Sequence, residues 1–374
     1  MVYLHVPFCR SFCTYCDFYS EIACRDRDAQ LFESFTDAVC EEISRRREEI
    51  EATRDLDTLY IGGGTPSVLP PICLRKILAS LMTGGVSPSP FTEFTIEVNP
   101  EDIVEKGSGY VRELLDLGVN RISMGVQSLD DGILRWMNRR HDADRARKAF
   151  RILREAGVGN ISIDLIFGLS HLSDELWEKT VDEALELAPE HISCYQLSVE
   201  EGSALEKLIA DGRYREASEE QCRRQYDLLC RKLAAAGFRH YEVSNFARPG
   251  FEARHNSAYW RRVPYVGLGP GAHSLLPGGR IRRWNADTVP IYTATEEHLT
   301  DEDIRVEALM LALRTDRGIA GADLARLADP AAVERLRSAG ALVPVAERHS
   351  IPGGRYRIPE DHFFVSDEII RELL

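Results

Sequence analysis

Nowhere does this chain string together the ~18 apolar residues that a membrane-spanning helix needs. A basic excess is missing as well: 60 acidic side chains stand against 46 basic ones, and the net charge of -14 repels phosphate backbones and anionic lipid surfaces. The sequence opens at Met1-Val2-Tyr3, without the basic and then apolar leader of an exported protein. Together these lacks are read as a cytoplasmic protein with no membrane segment of its own and no nucleic-acid partner. A disulfide framework is not expected either, because six of the nine cysteines are scattered singly and the cytoplasm keeps thiols reduced. Cys40, Cys73, Cys194, Cys222 and Cys230 fall in apolar or helical patterns, where a free thiol packs as a small hydrophobe.

What the chain does have is alternation. Short β-branched runs at 2–6, 58–61, 94–98, 121–126, 161–166 and 191–197 are separated by amphipathic stretches such as 30–50, 142–156 and 173–187. Six such units in order predict an α/β fold with a parallel sheet and right-handed crossovers, closed into a barrel or part of one. Gly118, Gly157 and Gly237 mark expected helix ends. At 374 residues the chain is long for one core, so a large domain with smaller companions is expected. The divisions read as 1–200 for the βα array, 201–298 for an associated segment, and 299–374 for a terminal module. The middle is expected to hold a helix at 219–236 and then a loop region at 246–284. The terminal module reads as three helices followed by a hairpin, a winged-helix-like pattern. Residues 301–374 carry 14 acidic and 10 basic side chains, so this module lacks the basic face of a DNA reader and is expected to pack or to meet a partner.

Three cysteines crowd into Phe8-Cys9-Arg10-Ser11-Phe12-Cys13-Thr14-Tyr15-Cys16. A C-x3-C-x2-C spacing puts three thiolates on one loop able to wrap an iron-sulfur cubane, and it leaves one iron open to a further ligand. The alternatives are a zinc site with His5, Asp17 or Cys24 as fourth ligand, or three buried cysteines. Aromatic Phe8, Phe12, Tyr15, Phe18 and Tyr19 are expected to shield a cluster from water. Downstream, Ile61-Gly62-Gly63-Gly64-Thr65-Pro66 runs from a strand into glycines that let a ligand approach the backbone, or that make only a tight turn. Glu97, Gln127 and Asp164 are polar groups within or at the end of apolar strand runs, which suggests ligand contact or pairing with an arginine such as Arg121 or Arg139.

Taken together, the 3–9 segment, the GGGTP loop, Ile96-Glu97-Val98-Asn99-Pro100, Ser123-Met124-Gly125-Val126-Gln127, Asn138-Arg139 and Ile163-Asp164-Leu165 resemble the anaerobic coproporphyrinogen oxidase family of radical-SAM proteins. The resemblance covers nearly the whole chain. It implies a partial (βα)6 barrel carrying a [4Fe-4S] cluster on Cys9, Cys13 and Cys16. It also implies that S-adenosylmethionine is lined by Tyr3, Gly63, Gly64, Thr65, Glu97, Gln127, Arg139 and Asp164. The true decarboxylases of that family carry another cysteine two positions after the third ligand, where this chain has Phe18, and an extension before the motif, where this chain begins. Arg254-His255-Asn256-Ser257-Ala258-Tyr259-Trp260 is similar to the H-N-x-x-Y-W signature of the family's heme-chaperone branch, as is the terminal module. From residue type alone, His255 is either a satisfied core or loop histidine or an axial heme ligand. The resemblance favours the ligand, with Tyr259 and Trp260 stacking on the macrocycle. The function these residues imply is a protein that holds heme and passes it to an apo-protein, which could itself sit in a membrane. The alternative is an oxygen-independent coproporphyrinogen III oxidase.

Overall fold

A computed structural model describes residues 1–23, 28–54, 56–82, 91–288, 293–345 and 354–374. Six parallel strands follow one another both in the chain and in the sheet: β1 (Val2–Val6), β2 (Thr58–Gly63), β3 (Glu93–Val98), β4 (Arg121–Gln127), β5 (Ile161–Phe167) and β6 (His191–Gln196). Most residues of β1–β6 are buried, as expected where helices cover one face and a filled interior the other. The crossovers include α1 (Asp28–Arg45), α2 (Pro71–Met82), α3 (Pro100–Asp116), α4 (Ala143–Glu155) and α5 (Asp174–Glu186). Their ends follow the sequence. Asp142 caps α4 by accepting from the Arg145 N–H, and Ser173 caps α5 by accepting from the Leu176 N–H. After α3, Gly118 at φ 96° turns the chain back, with the Val119 N–H reaching the Leu114 carbonyl.

The segment after β6 completes the sheet on both sides. Helix α6 (Glu219–Ala235) leads into β7 (Arg239–Glu242) and β8 (Asn245–Ala247), and β8 pairs antiparallel with β6. Helix α7 (Arg254–Tyr259) then crosses toward the far edge, where β9 (Val266–Leu268) pairs parallel with β1. The nine-stranded order is β9-β1-β2-β3-β4-β5-β6-β8-β7, an open sheet. A separate antiparallel ribbon of β10 (His273–Leu275), β11 (Ile281–Asn285) and β12 (Ala294–His298) is tied to α1 through the buried Arg46, which donates to Glu42, to Ser274 Oγ and to the Gly267 carbonyl. The terminal module consists of α8 (Asp301–Leu313), α9 (Gly321–Leu327), α10 (Pro330–Ser338) and α11 (Ser366–Leu373) around β13 (Ile319–Ala320), β14 (Val343–Pro344) and β15 (Arg355–Arg357). Helix α8 starts in a capping box between Thr300 and Asp303.

Two expectations change. The amphipathic run 30–50 is broken at Arg46, whose side chain turns inward to bond the ribbon, so a second short helix begins at Arg47. The 246–284 region is not only loop. Its strands are three to five residues long, too short to show a period, and α7 contains the His255 motif. Of the expected terminal hairpin, residues 346–353 lie outside the described residues.

Trp177 shows how α5 and α6 are held. Its ring is fully buried, packs 5.9 Å from Phe167, and donates its indole N–H to the Gln225 carbonyl at 2.9 Å. Trp177→Ala leaves a cavity and an unpartnered carbonyl, and should lower the unfolding free energy in urea by about 3–5 kcal/mol.

Candidate cofactor site

The site is built at the C-terminal ends of the parallel strands, where open and closed α/β folds place their ligands. The cysteine loop leaves β1 and is fastened to the turn 136–139. Thr14 donates its N–H to the Met137 carbonyl at 3.1 Å and its hydroxyl to Trp136 at 2.8 Å, while the Asn138 amide donates to the Phe12 carbonyl at 2.7 Å. Cys9, Cys13 and Cys16 all line one cavity of about 550 Å³. Among the described residues, no three His, Cys, Asp or Glu side chains converge as they would around a single metal ion. His5 has both ring nitrogens engaged, by the Tyr3 hydroxyl and the Tyr19 carbonyl, and Cys24 lies outside the described residues. Of the aromatics expected to shield the loop, Phe8 is buried, whereas Phe12 and Phe18 are 55% and 65% exposed at the mouth.

Arg139 joins this loop to the strand ends. Its guanidinium donates to Cys13 Sγ at 3.4 Å, to the Asn99 side-chain oxygen at 2.7 Å and to the Gly125 carbonyl at 2.8 Å, and its buried Nε has no partner. Asn99 in turn donates to the Thr65 hydroxyl, which lies 3.5 Å from Cys9 Sγ. The glycine loop is tight by necessity. Gly63 holds φ 109°, and a Cβ on Gly64 would lie 2.8 Å from the Phe8 carbonyl and 3.1 Å from Cys9 Sγ. Gln127 follows a register shift in β4 and holds φ 66°, a conformation costly for a non-glycine residue that turns its amide toward the cavity.

Glu97 and Asp164 face the cavity from β3 and β5. Burial pushes Glu97 up to about 7 and Asp164's charge adds to this, opposed by the Tyr60 hydroxyl at 2.7 Å, the Gly63 N–H at 3.2 Å and Arg121. Burial raises Asp164 too, against hydroxyls from Ser193 and Ser123 and the charge of Arg121. Burial also raises Cys9, and pushes Cys16 up to about 12.

Seven of the eight residues expected around the cofactor line this cavity: Gly63, Gly64, Thr65, Glu97, Gln127, Arg139 and Asp164. Tyr3 does not. Its ring lies 6.1 Å behind that of Tyr60 and its hydroxyl bonds His5, so it supports the wall. The sequence reading missed Tyr60, Asn99 and Tyr195 as lining residues, and gave Arg121 only as a pairing partner. Asn99 could have been found from its place at the start of α3; Tyr60 and Tyr195 sit inside apolar runs that hide them.

The expected heme residues sit at the other end of the sheet. His255 is fully buried, with Nδ1 bonded to the Thr58 hydroxyl at 2.9 Å and Nε2 to the Tyr259 hydroxyl at 3.0 Å. Thr58 and Glu93 begin β2 and β3, and the Glu93 carboxylate accepts the N–H groups of Arg254 and His255 at the start of α7. Burial pushes the His255 ring down to about 3, so it is neutral. In this conformation both ring nitrogens of His255 are taken up by hydrogen bonds within the protein. Trp260 lies past the helix end, away from this network, and Asn256 reaches the floor of the large cavity.

Because Glu97 binds its proton more tightly when folded, its contribution favours folding at low pH and is lost as pH rises from about 4.5 to 7. Glu97→Gln should therefore gain stability relative to the parent over that window, by up to about 3 kcal/mol, and run parallel to it above pH 8. Denaturant melts at pH 5 and 8 without added ligand check the sign. Gly64→Ala should push the Phe8 carbonyl and Cys9 apart, and iron retained after anaerobic reconstitution should fall several-fold against the parent.

The profile of the radical SAM superfamily matches residues 3–184. The heme chaperone HemW of Bacillus subtilis is 34% identical over 85% of this chain and 84% of its own length. That of Mycobacterium tuberculosis is 33% identical over 100% of this chain and 94% of its own. Among solved structures, coproporphyrinogen III oxidase (HemN) from Escherichia coli, described as a radical SAM enzyme, matches with a TM-score of 0.74 over 99% of this chain and 89% of that one. At 20% identity this last likeness is one of fold. With relatives this similar over most of both lengths, the chain belongs to the HemW family, within the radical SAM superfamily.

Proposed function

We propose that the protein is a heme chaperone that holds heme and delivers it to an apo-protein, with a [4Fe-4S] cluster and S-adenosylmethionine in the large cavity. The observation that carries the cofactor part is the convergence of three thiols, an arginine and two half-buried carboxylates on one space of about 550 Å³. Cys9, Cys13 and Cys16 would hold three irons, and the cluster with S-adenosylmethionine would supply one-electron chemistry there. The residues themselves do simpler work. Gly63 and Gly64 admit a zwitterion to the backbone, Glu97 and Asp164 accept hydrogen bonds from hydroxyl groups, and the orphaned Nε of Arg139 offers a further donor. The heme part rests on the relatives named HemW and on Phe18, which stands where the decarboxylases resembled have another cysteine.

The acceptor is an apo-hemoprotein. No described helix is long and apolar enough to cross a membrane, and we place the chain in the cytoplasm. An acceptor that is itself a membrane protein would be met from that side.

Anaerobic reconstitution should give about four irons per chain, lost in Cys9→Ala, Cys13→Ala or Cys16→Ala and kept in Cys40→Ala and Cys73→Ala. The reduced protein should bind heme and leave coproporphyrinogen III unchanged. Formation of protoporphyrinogen would restore the decarboxylase reading, and stoichiometric zinc without iron would remove the cluster.

A further inference from the structure

A second cavity, of about 410 Å³, opens between the end of α7 and the terminal module. This is within the size range of ligand sites. Its floor is apolar, with Ala308 and Ala312 of α8, Ile319, and Leu327 of α9, and Trp260 stands in its wall. Its charge runs against that of the whole chain: five arginines line it against two aspartates, in a protein of net charge -14.

Both aspartates are already paired, Asp316 with Arg239 at 2.5 Å and Asp323 with Arg326 at 3.1 Å. Arg262 is held by Glu307 at 2.8 Å, and Arg355 by the carbonyls of Arg317 and Gly318. Two guanidinium groups remain. Arg261 uses only its Nε, on the Ser257 carbonyl at 3.2 Å, and the Arg317 side chain has no partner among the described residues. Gly318 constrains the backbone next to Arg317, since it holds φ 58° and a Cβ there would meet the Tyr356 carbonyl, while the side chains of Arg261 and Arg317 are both exposed. Burial and then the charge of Arg317 push the Arg261 guanidinium down, the mark of two like charges with no acid between them.

Two free forks beside an indole and an apolar floor match a flat, largely apolar ligand that carries carboxylates. We propose that this cavity is a second ligand site, separate from the cysteine-loop cavity, that takes heme by its propionates and one macrocycle face. The proposal rests on the heme reading and deepens it by placing the ligand. Its lining contains no His, Cys or Met among the described residues, and its Tyr241 hydroxyl is already bonded to His191 at 2.7 Å. Recognition here thus runs through carboxylates and ring, not through iron, and a held heme keeps its metal open for the acceptor's own ligands.

The test titrates the full-length reconstituted protein with heme, iron-free protoporphyrin IX and the dimethyl ester of that porphyrin, followed by absorbance and tryptophan quenching. Heme and the free porphyrin should bind within a few-fold of each other, and the ester at least tenfold more weakly. Arg261→Glu with Arg317→Glu should weaken both acids at least tenfold while the iron content stays that of the parent. Arg261→Gln with Arg317→Gln should do so less, and Trp260→Phe should remove most of the quenching. If the parent binds heme and the charge-reversed variant binds it equally well, the site is wrong and the heme reading stands. If the parent binds neither heme nor porphyrin, both fall. Binding of heme without binding of the free porphyrin would overturn the site in favour of an iron-ligating one.

Discussion

The upper end of the sheet depends on one half-buried cation. Arg139 is fastened to Asn99 after β3, to Gly125 within β4 and to Cys13 in the loop from β1, so three separate strand ends are referred to a single guanidinium. A planar fork of five donors can do this where a lysine could not, because its bonds are fixed in direction as well as number. Thr14 and Asn138 fasten the same loop to the turn 136–139, and His5 holds its far end through the Tyr19 carbonyl. Drawing the charge partly out of water is costly, and its polar partners offset that cost.

Much of this could be read from the chain before its structure. The six parallel strands follow directly from their apolar runs, and the residues facing the cavity interrupt those runs or end them, as Glu97, Gln127 and Asp164 do. What escaped were features without a local signature. Tyr60 alternates with Leu59 and Ile61 as any strand tyrosine would, and only the opposed Glu97 makes its hydroxyl matter. The strands β8 and β9 are three residues long, and the pairings that join them to the sheet, with β6 and β1, reach far along the chain, so no window contains them. The partners of His255 were hidden in the same way: Thr58 and Glu93 are distant in the chain, and Tyr259 lies on the next helical turn.

The two ends of the sheet thereby acquire different characters. At one, polar groups are left open around a cavity, with strain at Gln127 and an orphaned nitrogen on Arg139. At the other, the His255 ring and the first N–H groups of α7 are hydrogen-bonded, and Trp260 and Arg261 past the helix end line the second cavity. The terminal module meets the barrel on that side, where the second cavity forms.

The placement of β9 beside β1 also bears on how the chain is made. Val2 pairs with Val266, so during synthesis the outer edge of β1 stays bare until Val266 has followed. At translation rates of about 5–20 residues per second, that wait is roughly ten to fifty seconds. An apolar strand with an open ladder is a template for wrong pairing throughout that time. Vectorial synthesis therefore sets this protein a delay that no refolding experiment on the finished chain reproduces.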